Sequence, residues 1–323
     1  MSPFPATLAV RGIGLVGSGI KRRLSALLAA SALAAGALTP AAPASASASA
    51  SANEVSAATV DVRAGGDGVT LNPNAVRAGQ IKFNVRTTNA ANGSDVLMFR
   101  PTGHSTIATV LADFRQAFSE VAETRARGMR DLTKHARFYG LAEVEPGNPA
   151  SVAETLRSGT YYLLDSGSLR IGVPKLTLLR VHDAKRADEV TTETRKENSD
   201  AARRVLVSMT SADRFHAPSV LPAHGAVSVR NSSDALHEMK LFPVKVGTTD
   251  KAVQTWLDAG AKGDPPFFVA GPTVGLNLIS PRRRVQLSYQ LPAGAYLLFC
   301  EVPDDNTGRP HIFMGMHKVV ALR

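Results

Sequence analysis

The residues best suited to chemistry gather near the C-terminus. Cys300, the only cysteine in the chain, ends the run Gly294-Ala-Tyr-Leu-Leu-Phe-Cys300, and residues 301–317 then hold His311, Met314, Met316 and His317. A thiolate followed by imidazole and thioether side chains is a donor set suited to copper. Two imidazoles and one thiolate in a trigonal site, with a weak axial thioether, stabilise both copper oxidation states and permit one-electron chemistry. The second imidazole must come from elsewhere, and His237 opens the strand-like run His-Glu-Met-Lys-Leu-Phe just after Asn231-Ser-Ser. Plainer readings stand beside this one. A free cysteine is often a buried, inert apolar residue, and His237 could be a satisfied strand histidine. Met314 and Met316 lie two apart and could simply share one face of a strand, while Met239 is also near His237. His317 is a rival ligand, but strand alternation places it on an exposed face. His104, His135, His182, His216 and His224 show no metal-ligand spacing and read as surface or structural.

These residues must be positioned by the elements around them, and the chain repeats itself. Residues 140–165 and 275–300 align without a gap at an offset of 135: Gly140-Leu141 with Gly275-Leu276, Pro146 with Pro281, Leu156 with Leu291, and Gly159–Asp165 with Gly294–Cys300. Gly79-Gln-Ile-Lys-Phe matches Gly225-Ala-Val-Ser-Val at 146, and Lys175–Arg180 pairs with Lys318–Arg323 at 143. Such spaced self-similarity marks a repeat architecture. Within each copy, Ile81, Phe83 and Val85, and Val285, Leu287 and Tyr289, alternate with polar residues, the period of half-buried strands. One helix interrupts each copy: about Asp250–Ala261 in the second, and from near Thr106, extended by a charged stretch through Arg137, in the first. The prediction is all-β: two tandem Greek-key β-sandwich domains, each with one inserted helix, over residues 55–181 and 202–323, joined by a charged linker at 182–201.

The differences between the copies carry the functional signal. At His237 the first copy has Gly93-Ser94, at Cys300 it has Asp165, and Val173-Pro174 stand opposite Met316-His317. The change of offset from 135 to 143 places eight extra residues in the second copy before its final strand. All the candidate ligands are absent together from one copy and present together in the other.

On these residues the second copy, from about Ala202 to Arg323, resembles a cupredoxin, and the first resembles one that lacks its metal. The resemblance implies His237 as first ligand, Cys300 as thiolate, His311 as second imidazole and Met316 as axial thioether. The His311-to-Met316 step is one the family uses. The ten residues between Cys300 and His311 exceed the usual two to four, and Pro303–Pro310 reads as a turn-rich excursion.

The rest of the chain bounds the setting. Lys21-Arg22-Arg23, an apolar run from Leu24 to Leu38 and the small-residue tract Ala41–Ala52 have the order of a secretory signal peptide over residues 1–52, so the protein is expected to be exported. Arg22-Arg23 also admits a twin-arginine signal. No later stretch is apolar for long enough to form a membrane helix. Four of the 37 basic residues lie in that leader, leaving 33 against 27 acidic ones and a net charge of +6. With no dense Lys/Arg block and only 6% aromatics, nucleic-acid binding is unsupported. The expected function is one-electron transfer through a mononuclear copper site, with an unidentified redox partner. The alternatives are copper storage or delivery, with a copper donor or acceptor as partner, and a metal-free interaction module. An enzyme is not expected: the histidines contain no His-X-His triplet, and no Gly-X-Ser-X-Gly elbow, His-Glu-X-X-His or Walker loop is present.

Overall fold

A computed structural model describes residues 57–184 and 205–323, without 92, 171, 173 and 212. The expected signal peptide lies outside the described residues, as does nearly all of the expected linker. The first half contains β1 (Ala58–Gly65), β2 (Gly68–Asn72), β3 (Ala75–Arg77), β4 (Gly79–Thr87), β5 (Ser94–Pro101), α1 (Ile107–Ala117), α2 (Ala122–His135), β6 (Ala136–Phe138), β7 (Ala142–Val144), β8 (Ala150–Leu156), β9 (Gly159–Asp165), α3 (Ser166–Arg170) and β10 (Thr177–His182). The second half contains β11 (Val205–Thr210), β12 (Arg214–His216), β13 (Val220–Leu221), β14 (His224–Asn231), β15 (His237–Pro243), α4 (Asp250–Asp258), β16 (Val274–Ile279), β17 (Arg284–Gln290), β18 (Gly294–Phe299), a 3₁₀ turn (His311–Met314) and β19 (His317–Leu322).

Alternating burial builds the layers. In β4 and β17 every second side chain is buried, and Ile81, Phe83, Val85, Val285, Leu287 and Tyr289 all face inward. One sheet runs β12-β11-β14-β17-β8-β4-β1-β2, and the other runs β13-β19-β18-β15-β16-β7-β5-β9-β10-β3 with β6 beside β5. Each order reads the same from both ends once the second half's strands are exchanged for their counterparts in the first. The shared details include two parallel pairs per half, β1 with β4 and β3 with β10, then β11 with β14 and β13 with β19. The two halves are thus β-sandwiches of one connectivity.

Both sheets continue across the junction, through β8–β17 and β7–β16. At its centre Val152 pairs with Leu287, residues that are themselves equivalent in the repeat. Leu276 likewise pairs with Ala142, next to its own counterpart Leu141. The halves are therefore related by an approximate two-fold axis through this junction, and one apolar core runs from Val60 to Leu322. A smaller cluster of Val253, Leu257, Phe267, Phe299 and Ile312 lies where α4 covers the other face of β18.

Two features differ from expectation. The first half's inserted helix is two helices, and a further short helix, α3, follows β9. Thr106 caps α1, its Oγ1 accepting from the Thr109 N–H at 3.1 Å. The chain then turns at Ser119, whose Oγ accepts from the Val121 N–H at 3.1 Å, and α2 folds back against α1. Gly128 makes that approach possible, since a Cβ there would sit 2.2 Å from the Ala117 nitrogen. The second difference is register. Leu163 pairs with Thr177 and Leu298 with Lys318, so the final strands correspond at an offset of 141, and the second copy's last insertion is six residues. A two-residue slip keeps every side chain on the same face, so alternation alone could not expose it.

Candidate metal centre

His237, Cys300 and His311 converge. His237 begins β15, Cys300 directly follows β18, and His311 opens the 3₁₀ turn before β19. All three are fully buried. The two Nδ1 atoms lie 3.2 Å apart, Cys300 Sγ is 3.6 Å from His311 Nδ1, and it is 3.9 Å from His237 Nδ1. A triangle of these sides has a centre about 2.1 Å from each corner, and metal–imidazole and metal–thiolate bonds are about 2.0 and 2.3 Å. The donors are therefore already spaced as the ligands of one ion.

Each donor is held by backbone features that the local sequence explains. Asn231, fully buried, donates through Nδ2 to the carbonyls of Ala235 and Ile279, both at 2.8 Å, and accepts through Oδ1 from the N–H and Oγ of Ser233. This fixes the turn that delivers His237. A register shift between His237 and Met239 follows, and such bulges re-aim side chains beside functional sites. Here it turns the Glu238 N–H toward Cys300 Sγ, at 3.4 Å. Met316 is fully buried, and its backbone joins the other two ligand segments: its N–H donates to His311 O at 3.0 Å, and its carbonyl accepts from Cys300 N–H at 3.2 Å. Ile312 anchors the turn in the small cluster under α4.

Burial sets the protonation states. It lowers His237 to about 3, with His311 adding to the effect, and lowers His311 to about 4 against the opposing pull of Asp304. Both imidazoles are neutral near pH 7 and ready to ligate. Burial and the Glu238 carboxylate push the Cys300 thiol up, opposed by the Glu238 N–H. The thiol thus keeps its proton until a metal displaces it, and the proton then leaves to solvent.

The long loop is held by the first half of the chain. Arg125 of α2 donates through Nε to Gly308 O at 2.6 Å, and Arg130 of α2 donates to Asp305 O. Gly308 has φ +68°, and a Cβ there would fall 2.1 Å from Ala122 O, so the loop and the start of α2 touch backbone to backbone. Asp304 braces the loop internally, its Oδ1 accepting from the Asn306 and Thr307 N–H groups and from Thr307 Oγ1. On the other side, Lys240 Nζ lies 3.3 Å from Glu301, 3.4 Å from Glu143 and 3.9 Å from Glu238. Glu238 in turn accepts from the Glu301 N–H at 2.9 Å, beside Cys300.

In the first half the equivalent place is filled differently. Strand pairing sets Val96 opposite Asp165, which puts Ser94 at His237's position and Asp165 at Cys300's, as the repeat implied. Ser94 bonds Thr87 Oγ1 at 2.8 Å and also the Asp165 carboxylate. With the corrected offset, Lys175-Leu176 rather than Val173-Pro174 stand opposite Met316-His317.

His317 does not join the group. It points to the opposite side from Met316, as alternation predicted, but it is not exposed. Its side chain is 4% accessible beneath α4, with Nε2 2.9 Å from Gln254 Oε1. Alternation reports the face and is blind to the helix laid over it. His135 is structural, bonding Asp113 Oδ2 at 2.8 Å. Sequence reasoning missed Asp213, whose Oδ1 lies 3.6 Å from His311 Nε2. It also missed the arginines of α2. No sequence signal points to either, since both act across long separations.

Fold and site together define a two-sandwich protein with a buried His-Cys-His group in its second sandwich, the arrangement that the resemblance to cupredoxins implied. Neither a protein-family profile nor a curated protein matches the sequence. Among solved structures it is similar to reduced auracyanin from the photosynthetic bacterium Roseiflexus castenholzii, at 14% identity over 37% of this chain and 96% of that one, TM-score 0.23. Auracyanin A, a "blue" copper protein from Chloroflexus aurantiacus, is 18% identical over 37% and 99%, TM-score 0.22. The copper-containing nitrite reductase of Thermus scotoductus is 11% identical over 82% and 61%, TM-score 0.21. With TM-scores this low, the architecture rests on the strand order itself. An enzyme stands among these likenesses, so they lend no support to the expectation of a non-enzyme. Among the described residues, no helix is long and apolar enough to cross a membrane.

Proposed function

We propose that this chain is an exported copper protein in which His237, Cys300 and His311 would hold one copper ion, with the buried Met316 thioether as a further donor, and that the site would pass single electrons to a redox partner. The observation that carries this reading is the triangle of two Nδ1 atoms and one Sγ, sized for a single ion. Two imidazoles and a thiolate with a weak thioether are the donor set that lets copper change oxidation state with little rearrangement. The chain's own contribution is rigidity. Asn231 fixes the approach of His237, and the Met316 backbone ties Cys300 to His311. The Glu238 N–H favours the thiolate form, and the neutral imidazoles keep their lone pairs available to a metal. In this reading residues 55–181 form a metal-free domain, residues 202–323 the copper domain, and residues 1–52 the export signal.

A second reading, storage or delivery of copper, is favoured by one observation. His237, Cys300, His311 and Met316 are all at 0% exposure, so no ligand edge meets solvent. The test is an absorption spectrum of the mature protein titrated with Cu(II), beside Cys300→Ser. An intense thiolate-to-copper band, lost in the variant and reversible on reduction, supports electron transfer. A band without reversible reduction favours delivery. Tight copper binding with no such band in either protein would overturn the assignment of Cys300.

A further inference from the structure

His311 has a second face. Its Nδ1 looks toward Cys300 and His237, while its Nε2, buried and without a hydrogen-bond partner, looks toward Asp213 and Asp304. The His311 side chain is 1% exposed, and one ligand atom from each of His311, Asp213 and Asp304 lies within 4.8 Å of the others. The separation of 3.6 Å between Nε2 and Asp213 Oδ1 is too long for a hydrogen bond. It is close to the spacing of two ligands on one ion, given bonds of about 2.0–2.2 Å to nitrogen and carboxylate oxygen.

The surroundings favour a cation there. Asp213 and Asp304 lie near two more carboxylates, Asp234 and Asp305. Asp304 Oδ1 is already engaged by Asn306 and Thr307, which holds that carboxylate in place. Asp213 itself sits at φ +50° in the turn before β12, and its side chain is 17% exposed, so the group has a route to solvent.

We infer that His311 Nε2, Asp213 and Asp304 form a second metal site, for a divalent ion of zinc type, with His311 bridging it to the His237/Cys300 site. One imidazole nitrogen and two carboxylates are a donor set that zinc accepts, with the exposed side open to water. When Nδ1 holds a metal, the Nε2 proton passes to solvent on binding; when Nδ1 is free, the single ring proton resides there and Nε2 offers its lone pair directly. When both sites are filled, the ring carries a metal on each nitrogen.

The bridge rests on the copper reading, but the second site does not, and the experiment separates them. The mature full-length protein is loaded with Cu(I) under reductant, freed of excess, and titrated with Zn²⁺ by calorimetry. Both metals are counted in the same samples. One further equivalent of zinc, weakened at least 10-fold by Asp213→Asn, is expected. The same zinc titration of Cys300→Ser, without copper, should show an equivalent that Asp213→Asn also weakens; this arm holds whether or not the native protein takes copper. The proposal is overturned if zinc displaces copper one for one, if neither protein binds zinc, or if Asp213→Asn leaves zinc affinity unchanged. In that last case Asp213 is at most an outer partner of His311.

Discussion

Arg125 in the first half of the chain donates through Nε to the carbonyl of Gly308, 2.6 Å away, in the loop that separates Cys300 from His311 in the second half. The same guanidinium donates through Nη1 to Ser119 O at 2.7 Å, so it ties the α1–α2 turn to the ligand loop. Removing it leaves the Gly308 carbonyl without this donor, a loss of about 1–2 kcal/mol for a charge-assisted bond in a half-buried place. Arg125→Ala is therefore expected to lower thermal stability modestly and to speed copper loss to a competing chelator by about 10-fold, the equivalent of about 1.4 kcal/mol. Equal chelation rates in variant and parent would show that the loop holds its shape without α2.

His311 and His317 compete as ligands by sequence, and their surroundings separate them. His311 Nδ1 faces Cys300 Sγ at 3.6 Å, while His317 Nε2 is committed to Gln254 at 2.9 Å. His311→Ala should abolish the thiolate-to-copper band. His317→Ala should keep the band and instead lower the denaturation midpoint, because it removes a bond between β19 and α4. The reverse pattern in the two spectra would transfer the ligand role to His317.

Asn231 makes four hydrogen bonds from one buried side chain. Asn231→Ala leaves two carbonyls and the Ser233 N–H without these partners, which is expected to cost about 2–3 kcal/mol. The measurement is urea unfolding of the apo protein, with the midpoint falling while the slope stays constant. A change of less than about 0.5 kcal/mol would mean that the turn before His237 is fixed by other contacts.

Much of this was legible in the sequence because strands and repeats both leave periodic marks. The alternation of Ile81, Phe83 and Val85, and the joint loss of His237 and Cys300 as Ser94 and Asp165, survive into the structure because each depends on neighbours along the chain or on its equivalent in the other copy. What stayed hidden depends on partners distant in sequence. Arg125 and Gly308 are separated by 183 residues, and α4 covers His317 from 63 residues away. The two-residue slip in the last strand escaped notice for the opposite reason. Period two is satisfied equally well by either register, and only the pairing of Lys318 with Leu298 decides it.

The junction between the halves contains an ion pair whose pH dependence can be worked out. Arg283 reaches from the second half to the Glu154 carboxylate in the first, and its guanidinium lies 4.0 Å from the centre of the Tyr139 ring. Burial raises Glu154 from its ordinary value to about 7, and the Arg283 charge and hydrogen bond oppose that rise. In Arg283→Met the opposing influence is gone, so the folded-state value moves further above the unfolded one. A carboxyl raised in this way is held comfortably as the neutral acid below its unfolded value, near 4.5, and stability falls as pH rises through the folded value. The two proteins should thus lose stability in parallel from pH 4.5 to about 7, where the parent's Glu154 ionises, and the variant's pH-dependent deficit should open only above that, reaching about 1.4 kcal/mol at pH 8. Chemical denaturation of both proteins across that range decides the matter. A deficit that is constant with pH would show that Arg283 acts through its packing on Tyr139 and not through the charge of Glu154.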